Sequence, residues 1–318
     1  MMTASINPTR IAIVGVGNVG ATFAHALLLS GLAAEIVLID RDKRKAEGEA
    51  MDLNHAIPLV HPTRIWAGDY ADCAGATLTV ITAGSAQKPG ESRLDLLQRN
   101  IAIFRSIVSE VVKYNPQGMI LVATNPVDIL AYATWKISGL PAQRVLGSGT
   151  ILDTARLRYL LSQHFEVDAR SVHAYIIGEH GDSEVPVWSL ANIAGMRLTE
   201  YCAANHKHCE MDYLETIFEQ TRDAAYEIIE RKGATYYAIS AGLITIVQAI
   251  LRDQNTVLSV SSYIEDYYGI NDVYLSLPTI VDHGGIEKML RLELSPVEVK
   301  GLQNSAKILK DTIAQLEF

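Results

Sequence analysis

Short apolar runs alternate with helix-like patterns over the first 150 residues. Four of these runs consist almost entirely of Val, Ile, Leu and other strand-forming residues, and a weaker one lies near Val145. The four runs are Ile11–Val14, Ile36–Ile39, Thr77–Ile81 and Met119–Ala123. Such continuity is typical of strands that are buried on both faces of a parallel sheet. The alternation therefore predicts an α/β fold with a doubly wound parallel sheet.

The pattern changes after about residue 150. Two long helical patterns occupy residues 213–230 and 236–251, and strand-like segments follow at Val257–Tyr263, Val273–Ile280 and Met289–Leu292. Apolar residues spaced by three and four then mark an amphipathic helix between Val299 and Leu316. We expect one domain over residues 1–149 and a second, mixed α+β domain over residues 150–318.

A glycine-rich turn follows the first apolar run. Gly15, Gly17 and Gly20 have the spacing that allows a tight turn, close approach of a pyrophosphate and close packing of helix on strand. The N–H groups of the next helix would face the phosphates. Asp40, at the end of the second run, suits the ribose hydroxyls, although Arg41 could reach a 2′-phosphate. The pattern predicts a Rossmann domain that binds NAD in preference to NADP.

Composition narrows the possible classes of protein. The chain has 318 residues and a formal net charge of −9, which disfavours nucleic-acid binding without a local basic patch. Membrane association is not expected, since apolar runs stay below the ~18 residues of a membrane span and the first residues lack a secretory apolar segment. The three cysteines are too few for a disulfide framework. We expect a cytoplasmic protein without a metal site.

One of nine histidines lies in an unusual setting between glycines. His180 follows Gly178-Glu179 and precedes Gly181, so it is a candidate acid/base in an irregular turn. Asp153 could orient its ring, and Arg156, three residues on, could hold a substrate carboxylate. An intrahelical salt bridge is the alternative for that pair.

A polar loop follows the run Thr77–Ile81. As a lid at the ligand-binding edge of the sheet it could bring Arg93 to a reacting carbonyl. The alternative is an ordinary exposed loop.

Four motifs in this chain resemble the lactate/malate dehydrogenase family over nearly the whole length. They are Gln87–Arg93 (QKPGESR), Thr124–Asp128 (TNPVD), Leu152–Arg156 (LDTAR) and Ile177–Glu184 (IGEHGDSE). The resemblance implies that His180 is the acid/base, that Asp153 is its partner, that Arg156 binds the carboxylate and that Arg93 polarises the carbonyl.

The resemblance also implies further binding residues. Asn125 would hydrogen-bond the substrate and Thr235 would line its pocket. Positions that would line the cofactor site are Val19, Lys45, Tyr70, Gly84, Ser106 and Asn125. Some of these side chains could instead pack or face solvent.

The choice of substrate rests on residue 87. In the family this residue faces the far end of the substrate, and malate dehydrogenases carry arginine there to pair the second carboxylate of oxaloacetate. Neutral Gln87 suits the methyl end of pyruvate, so the resemblance favours interconversion of pyruvate and L-lactate. Malate dehydrogenase activity and a larger 2-oxo acid remain alternatives, because a methylene is worth only ~1–3 kcal/mol of discrimination.

A second anion site is suggested by Arg158 and His173. Two residues after Arg156, Arg158 points to the other side of its helix. Family members activated by fructose 1,6-bisphosphate carry an arginine and a histidine at these positions, at a subunit interface of a tetramer. The resemblance implies this effector and a homotetramer, against the alternative of a surface arginine and a strand histidine without a ligand.

A catalytically silent NAD-binding protein is the remaining alternative class for the whole chain.

Overall fold

The structure is a computed structural model that describes residues 9–85, 90, 92–207 and 209–318. Its first part alternates strands and helices. The strands are β1 (Arg10–Val14), β2 (Glu35–Ile39), β3 (Arg64–Ala67), β4 (Leu78–Ile81), β5 (Met119–Val122) and β6 (Val145–Gly147). The helices between them are α1 (Asn18–Ser30), α2 (Lys43–Ala56), α3 (Arg93–Tyr114) and α4 (Val127–Ser138).

The second part combines long helices with hairpins. Its helices are α5 (Ile151–Phe165), α6 (Leu198–Asn205), α7 (Met211–Lys232), α8 (Tyr237–Leu251) and α9 (Pro296–Ile313). Its short strands are β7 (Val172–His173), β8 (Ile176–Ile177), β9 (Val185–Pro186), β10 (Asn192–Ile193) and β11 (Met196–Arg197). Its long strands are β12 (Thr256–Ile264), β13 (Val273–Asp282) and β14 (Gly285–Met289).

The central sheet confirms the predicted doubly wound topology. Within the described residues nine strands form one sheet in the order β14-β13-β12-β6-β5-β4-β1-β2-β3. The first six strands of the chain run parallel, and β1 pairs with both β2 and β4. The winding direction therefore reverses between β1 and β4, and ligands of such sheets bind at the carboxyl ends of those strands.

The second part confirms the mixed α+β prediction and extends the same sheet. Strands β12, β13 and β14 pair antiparallel, and β12 joins β6 through Ser261 and Gly147. The sequence patterns missed β3, which has an exposed Arg64 and a half-buried Trp66 and so lacks a continuous apolar run. Strand β14 also ends at Met289, where a strand was expected to begin. The proposed boundary after residue 149 stays a prediction.

The core lies on both faces of the sheet. Strand β1 shows why: Ala12 and Val14 pack on the side of α3, α4 and α9, whereas Ile11 and Ile13 pack on the side of α1, α2 and α8. Alternate residues of a strand point to opposite faces, so a strand covered on both sides must be apolar throughout. In the described part of the chain, no helix is long and apolar enough to span a membrane.

One disulfide departs from the expectation of reduced cysteines. Cys202 in α6 and Cys209, just before α7, are joined in the structure, with their Cα atoms 6.1 Å apart. The turn between the two helices brings them within the span that a disulfide requires. Their spacing of seven residues did not reveal this in the sequence. Cys73 is a buried thiol, and burial raises its pKa to about 11.

Candidate active site

A histidine–aspartate pair forms between two elements of the second part. Asp153 lies in the first turn of α5 and is 2% exposed, and His180 lies in the connection between β8 and β9. The His180 Nδ1 atom is 2.5 Å from Oδ2 of Asp153. The described residues provide no hydrogen-bond partner for Nε2 of His180, so this nitrogen remains available to a substrate.

Arg156 shares the same carboxylate. Its guanidinium donates to Oδ1 of Asp153 at 2.9 Å, one helical turn along α5. The intrahelical salt bridge that the spacing allowed is therefore formed. Both oxygens of Asp153 are engaged, one by His180 and one by Arg156, so that one carboxylate holds both side chains. We call Asp153, Arg156 and His180 the acid–base cluster.

The cluster is electrostatically biased toward a charged histidine. Burial lowers the pKa of His180, but the charge and hydrogen bond of Asp153 outweigh it, and the pKa rises to about 9. Burial also opposes ionisation of Asp153, yet His180 and then Arg156 lower its pKa below the usual value. At neutral pH the cluster thus holds an imidazolium that can release a proton.

Asp128, in the first part of the chain, anchors the loop that carries His180. It is 1% exposed in the first turn of α4, and its Oδ2 accepts the backbone N–H of His180 at 2.7 Å. Burial raises the pKa of Asp128 to about 6. The sequence analysis gave this residue no role, although it ends the TNPVD motif. A buried acid at the start of a helix after a sheet strand was the signal available.

Glu184 is a second residue that sequence reasoning missed. It closes the turn after His180 and is 7% exposed, and its carboxyl lies within 4.8 Å of the Asp153 carboxylate and of the His180 ring. Its Oε1 has no hydrogen-bond partner among the described residues. Its place at the end of the IGEHGDSE motif was the only sequence signal.

The glycine turn adopts the geometry expected for a dinucleotide site. Gly15 follows β1 with a positive φ of 99°, and a Cβ at Gly20 would overlap the backbone oxygen of Gly15. Gly17 precedes α1, and a Cβ there would meet nothing within 4 Å. Within the described chain no side chain caps α1. Open space beside uncapped helix N–H groups fits a pyrophosphate.

Asp40 lies at the end of β2, where the ribose is expected. Its Oδ2 accepts the backbone N–H of Val16 at 2.8 Å and its Oδ1 accepts that of Asp42 at 2.9 Å. Each carboxylate oxygen has a further lone pair for a ribose hydroxyl. Tyr70 is half-buried nearby, and burial followed by neighbouring acidic groups, Asp40 among them, raises its pKa. These residues fit an NAD ribose.

The remaining proposed cofactor residues fall into two groups. Gly84 and Asn125 follow β4 and β5 at the carboxyl edge, and a Cβ at Gly84 would clash with the side chain of Thr124. Val19 is half-buried in α1. Lys45 and Ser106 face solvent on α2 and α3, and the structure gives neither side chain a contact with the glycine turn.

Three proposed substrate residues lie apart from the acid–base cluster or beyond description. Arg93 is exposed at the first position of α3, after the N-cap Ser92. Thr235 is half-buried between α7 and α8. Gln87 lies outside the described residues. No hydrogen bond links Arg93 or Thr235 to the acid–base cluster in the described part of the structure.

Arg158 and His173 lie on the outside of the same domain. The Arg158 Nε donates to the backbone oxygen of Ala174 at 2.9 Å, and its guanidinium lies 5.0 Å from the centre of the Tyr175 ring. His173 is exposed on β7, next in sequence to Ala174. Arg158 thus contacts Ala174 and Tyr175, the two residues after β7, while Arg156 belongs to the acid–base cluster.

The fold and the site together define a class of protein. A model of the lactate/malate dehydrogenase NAD-binding domain matches residues 9–147, and a model of the alpha/beta C-terminal domain of that family matches residues 150–317. The chain belongs to the lactate/malate dehydrogenase family, whose members are NAD-dependent oxidoreductases.

Individual relatives cover almost the entire chain. An L-lactate dehydrogenase of Priestia megaterium is 56% identical over 305 residues, which are 95% of each chain. One of Acetivibrio thermocellus is 54% identical and covers 97% of this chain and 98% of its own. Among solved structures, a lactate dehydrogenase from a deep-sea metagenome superposes with a TM-score of 0.95 at 46% identity, covering 98% of this chain and 99% of its own.

Proposed function

We propose that the protein is an L-lactate dehydrogenase, which reduces pyruvate reversibly to L-lactate with NADH. The observation that carries the proposal is the acid–base cluster. It combines a proton donor with a raised pKa and a half-buried guanidinium next to the carboxyl edge that fits NAD. The similarity to enzymes named L-lactate dehydrogenase supports this choice.

The residues of the chain divide the work of carbonyl reduction. NADH, when bound, supplies the hydride. Arg156 binds the carboxylate of the substrate through parallel N–H donors. His180 gives the proton on Nε2 to the carbonyl oxygen as negative charge grows there. Asp153 stabilises the imidazolium and fixes the ring orientation, and Arg93 would polarise the carbonyl from the start of α3.

Substrate choice follows from charge. A second carboxylate, as in oxaloacetate, needs a cation at the far end of the pocket, and the sequence places neutral Gln87 at the matching position. Gln87 thus favours pyruvate over oxaloacetate. Malate dehydrogenase activity is the second candidate, in case another residue supplies the cation.

The proposal is tested by comparing substrates. NADH oxidation is followed with pyruvate, oxaloacetate and 2-oxobutyrate, and kcat/KM is determined for each. We expect the highest value for pyruvate. A higher value for oxaloacetate would favour malate dehydrogenase, and no turnover of any 2-oxo acid would favour a silent NAD-binding protein.

We also propose activation by fructose 1,6-bisphosphate at Arg158 and His173. Among the described residues no carboxylate pairs with Arg158, and its guanidinium donates to the backbone of Ala174, next in sequence to the exposed His173. A guanidinium and an imidazole can both donate hydrogen bonds to a phosphate group. An effector that binds the active assembly more tightly shifts the population toward it.

Exposed Met51, Leu59 and Tyr237 offer apolar surface for a homotetramer.

The effector proposal predicts a lower apparent KM for pyruvate in the presence of fructose 1,6-bisphosphate. Arg158→Gln should abolish this response and leave the activity without effector unchanged. Arg64→Gln, an exposed arginine of β3, is the matched control and should keep the response. Light scattering measures the assembly in each condition, and an unchanged pyruvate KM in the unmodified enzyme would refute the proposal.

A further inference from the structure

Glu184 is a buried carboxyl next to the acid–base cluster that the mechanism above does not use. It is fixed at the end of the turn between β8 and β9, where its backbone N–H donates to the Gly181 oxygen at 3.1 Å. Its carboxyl is within 4.8 Å of both the Asp153 carboxylate and the His180 ring. Two buried carboxyls at this separation repel each other strongly if both are ionised.

The contacts decide which of the two carboxyls carries the negative charge. Asp153 has His180 on one oxygen at 2.5 Å and Arg156 on the other at 2.9 Å, so it is the ionised member. Oε1 of Glu184 is buried without a partner in the described part of the structure, where a charge would be costly. A protonated carboxyl tolerates that environment better than a carboxylate does.

The charged groups around Glu184 give the same answer. Asp153, Arg156 and His180 belong to the cluster, and Arg222 of α7 adds a more distant, half-exposed cation that is paired with Asp223. Burial and then the Asp153 charge raise the pKa of Glu184, against the lowering effect of the cations, to about 9. Burial and the Asp153 charge thus raise the pKa of Glu184 by more than the three cations lower it.

We propose that Glu184 is held as a neutral carboxylic acid and thereby sets the charge of the substrate site. With Glu184 neutral, the imidazolium of His180, the guanidinium of Arg156 and the carboxylate of Asp153 together carry one net positive charge, beside the carboxylate of Asp128. Ionisation of Glu184 removes that charge. This inference rests on the proposed reduction of a 2-oxo acid. Glu184 acts through His180 and Arg156 and is a positioning residue.

The protonation state is tested first without any substrate. The infrared difference spectrum of the unmodified enzyme minus Glu184→Gln should show the carbonyl stretch of a protonated carboxylic acid at neutral pH. This band should be lost above about pH 9. Glu215→Gln, an exposed residue of α7, is the control and should show carboxylate bands instead. Carboxylate bands for Glu184 at neutral pH would overturn the proposal, whatever the enzyme reduces.

The second test measures protons taken up on binding oxamate, an unreactive amide analogue of pyruvate, to the enzyme with NADH. Above about pH 9 the unmodified enzyme must protonate both His180 and Glu184, so affinity should fall up to about a hundredfold per pH unit. Oxamate binding to the Glu184→Gln variant requires only the His180 proton, so its affinity should fall about tenfold per pH unit. The inference would be overturned if oxamate affinity fell equally steeply with pH in the unmodified enzyme and in Glu184→Gln, and if calorimetry showed equal proton uptake. If oxamate did not bind and pyruvate was not reduced, the proposed function would be refuted instead.

Discussion

The glycine turn and the acid–base cluster recognise charge by opposite means. The turn at residues 15–20 offers backbone N–H groups, an open space at Gly17 and no charged side chain. The cluster consists of one buried carboxylate, Asp153, and the two half-buried side chains of His180 and Arg156 that bind it. A backbone site keeps its dipoles at every pH, whereas a side-chain site gains or loses whole charges. The first suits a cofactor that is always anionic, and the second suits proton transfer.

The two regions also differ in what holds them in place. The glycine turn is continuous with β1 and α1, so local chain geometry positions it. The cluster takes His180 from a loop, Asp153 and Arg156 from α5, and a backbone contact from Asp128 of α4. Substitutions in the turn should therefore act on cofactor affinity, and those in the cluster should act on turnover or substrate affinity.

The largest effect is expected for His180→Asn. It removes the proton donor while an amide can still meet Asp153, so kcat should fall by about 10²–10⁴ with NADH affinity unchanged. Single-turnover NADH oxidation measures the loss. His283→Asn removes a similar pair, with Nδ1 2.8 Å from Asp253, but on the surface, and should leave kcat unchanged. Weaker NADH binding by His180→Asn would contradict the assignment of cofactor affinity to the glycine turn and of turnover to the acid–base cluster.

A smaller effect is expected for Arg156→Lys. The ammonium keeps the charge but cannot donate two parallel hydrogen bonds, so substrate binding should weaken by about 2 kcal/mol, or about thirtyfold in KM. Steady-state kinetics over a range of pyruvate concentrations measures it. Arg170→Lys, at an exposed pair with Asp168, serves as the control. An unchanged KM would show that Arg156 serves only its ion pair with Asp153.

Gly20→Ala should act on the other region. The new methyl group overlaps the Gly15 oxygen, and such overpacking costs about 1–3 kcal/mol. We expect NADH to bind about tenfold more weakly, as measured by fluorescence titration. Gly48→Ala on α2, where a Cβ meets nothing within 4 Å, should leave NADH binding intact. Equal NADH affinity in both variants would argue against the glycine turn as the pyrophosphate site.

The smallest effect is expected for Asp40→Asn. Loss of the carboxylate removes repulsion of a 2′-phosphate, worth about 1 kcal/mol where water screens the two charges, so the preference for NADH over NADPH should fall about fivefold. The ratio of kcat/KM for the two cofactors measures this. Glu47→Gln on the exposed side of α2 makes the same charge change away from β2. A ratio that stays constant in Asp40→Asn would assign the preference to another residue.

Much of this molecule follows from local patterns. The apolar runs of β1, β2, β4 and β5 predicted the parallel sheet because strands buried on both faces must be apolar throughout. The three glycines and Asp40 predicted a dinucleotide site at this edge, and their local geometry fits one because it depends on neighbouring backbone. Strand β3 escaped prediction, since Arg64 is exposed and Trp66 only half-buried there.

The sequence by itself determined the parallel sheet, the NAD-binding class and the residue types available for chemistry. Only the tertiary structure decided which charges meet. It placed Asp153 between His180 and Arg156, tied His180 to Asp128 from the other part of the chain, and buried Glu184 beside them. It also joined Cys202 to Cys209. The physical reason is that pKa values and ion pairs depend on burial and on distances between residues far apart in sequence, which no local pattern specifies.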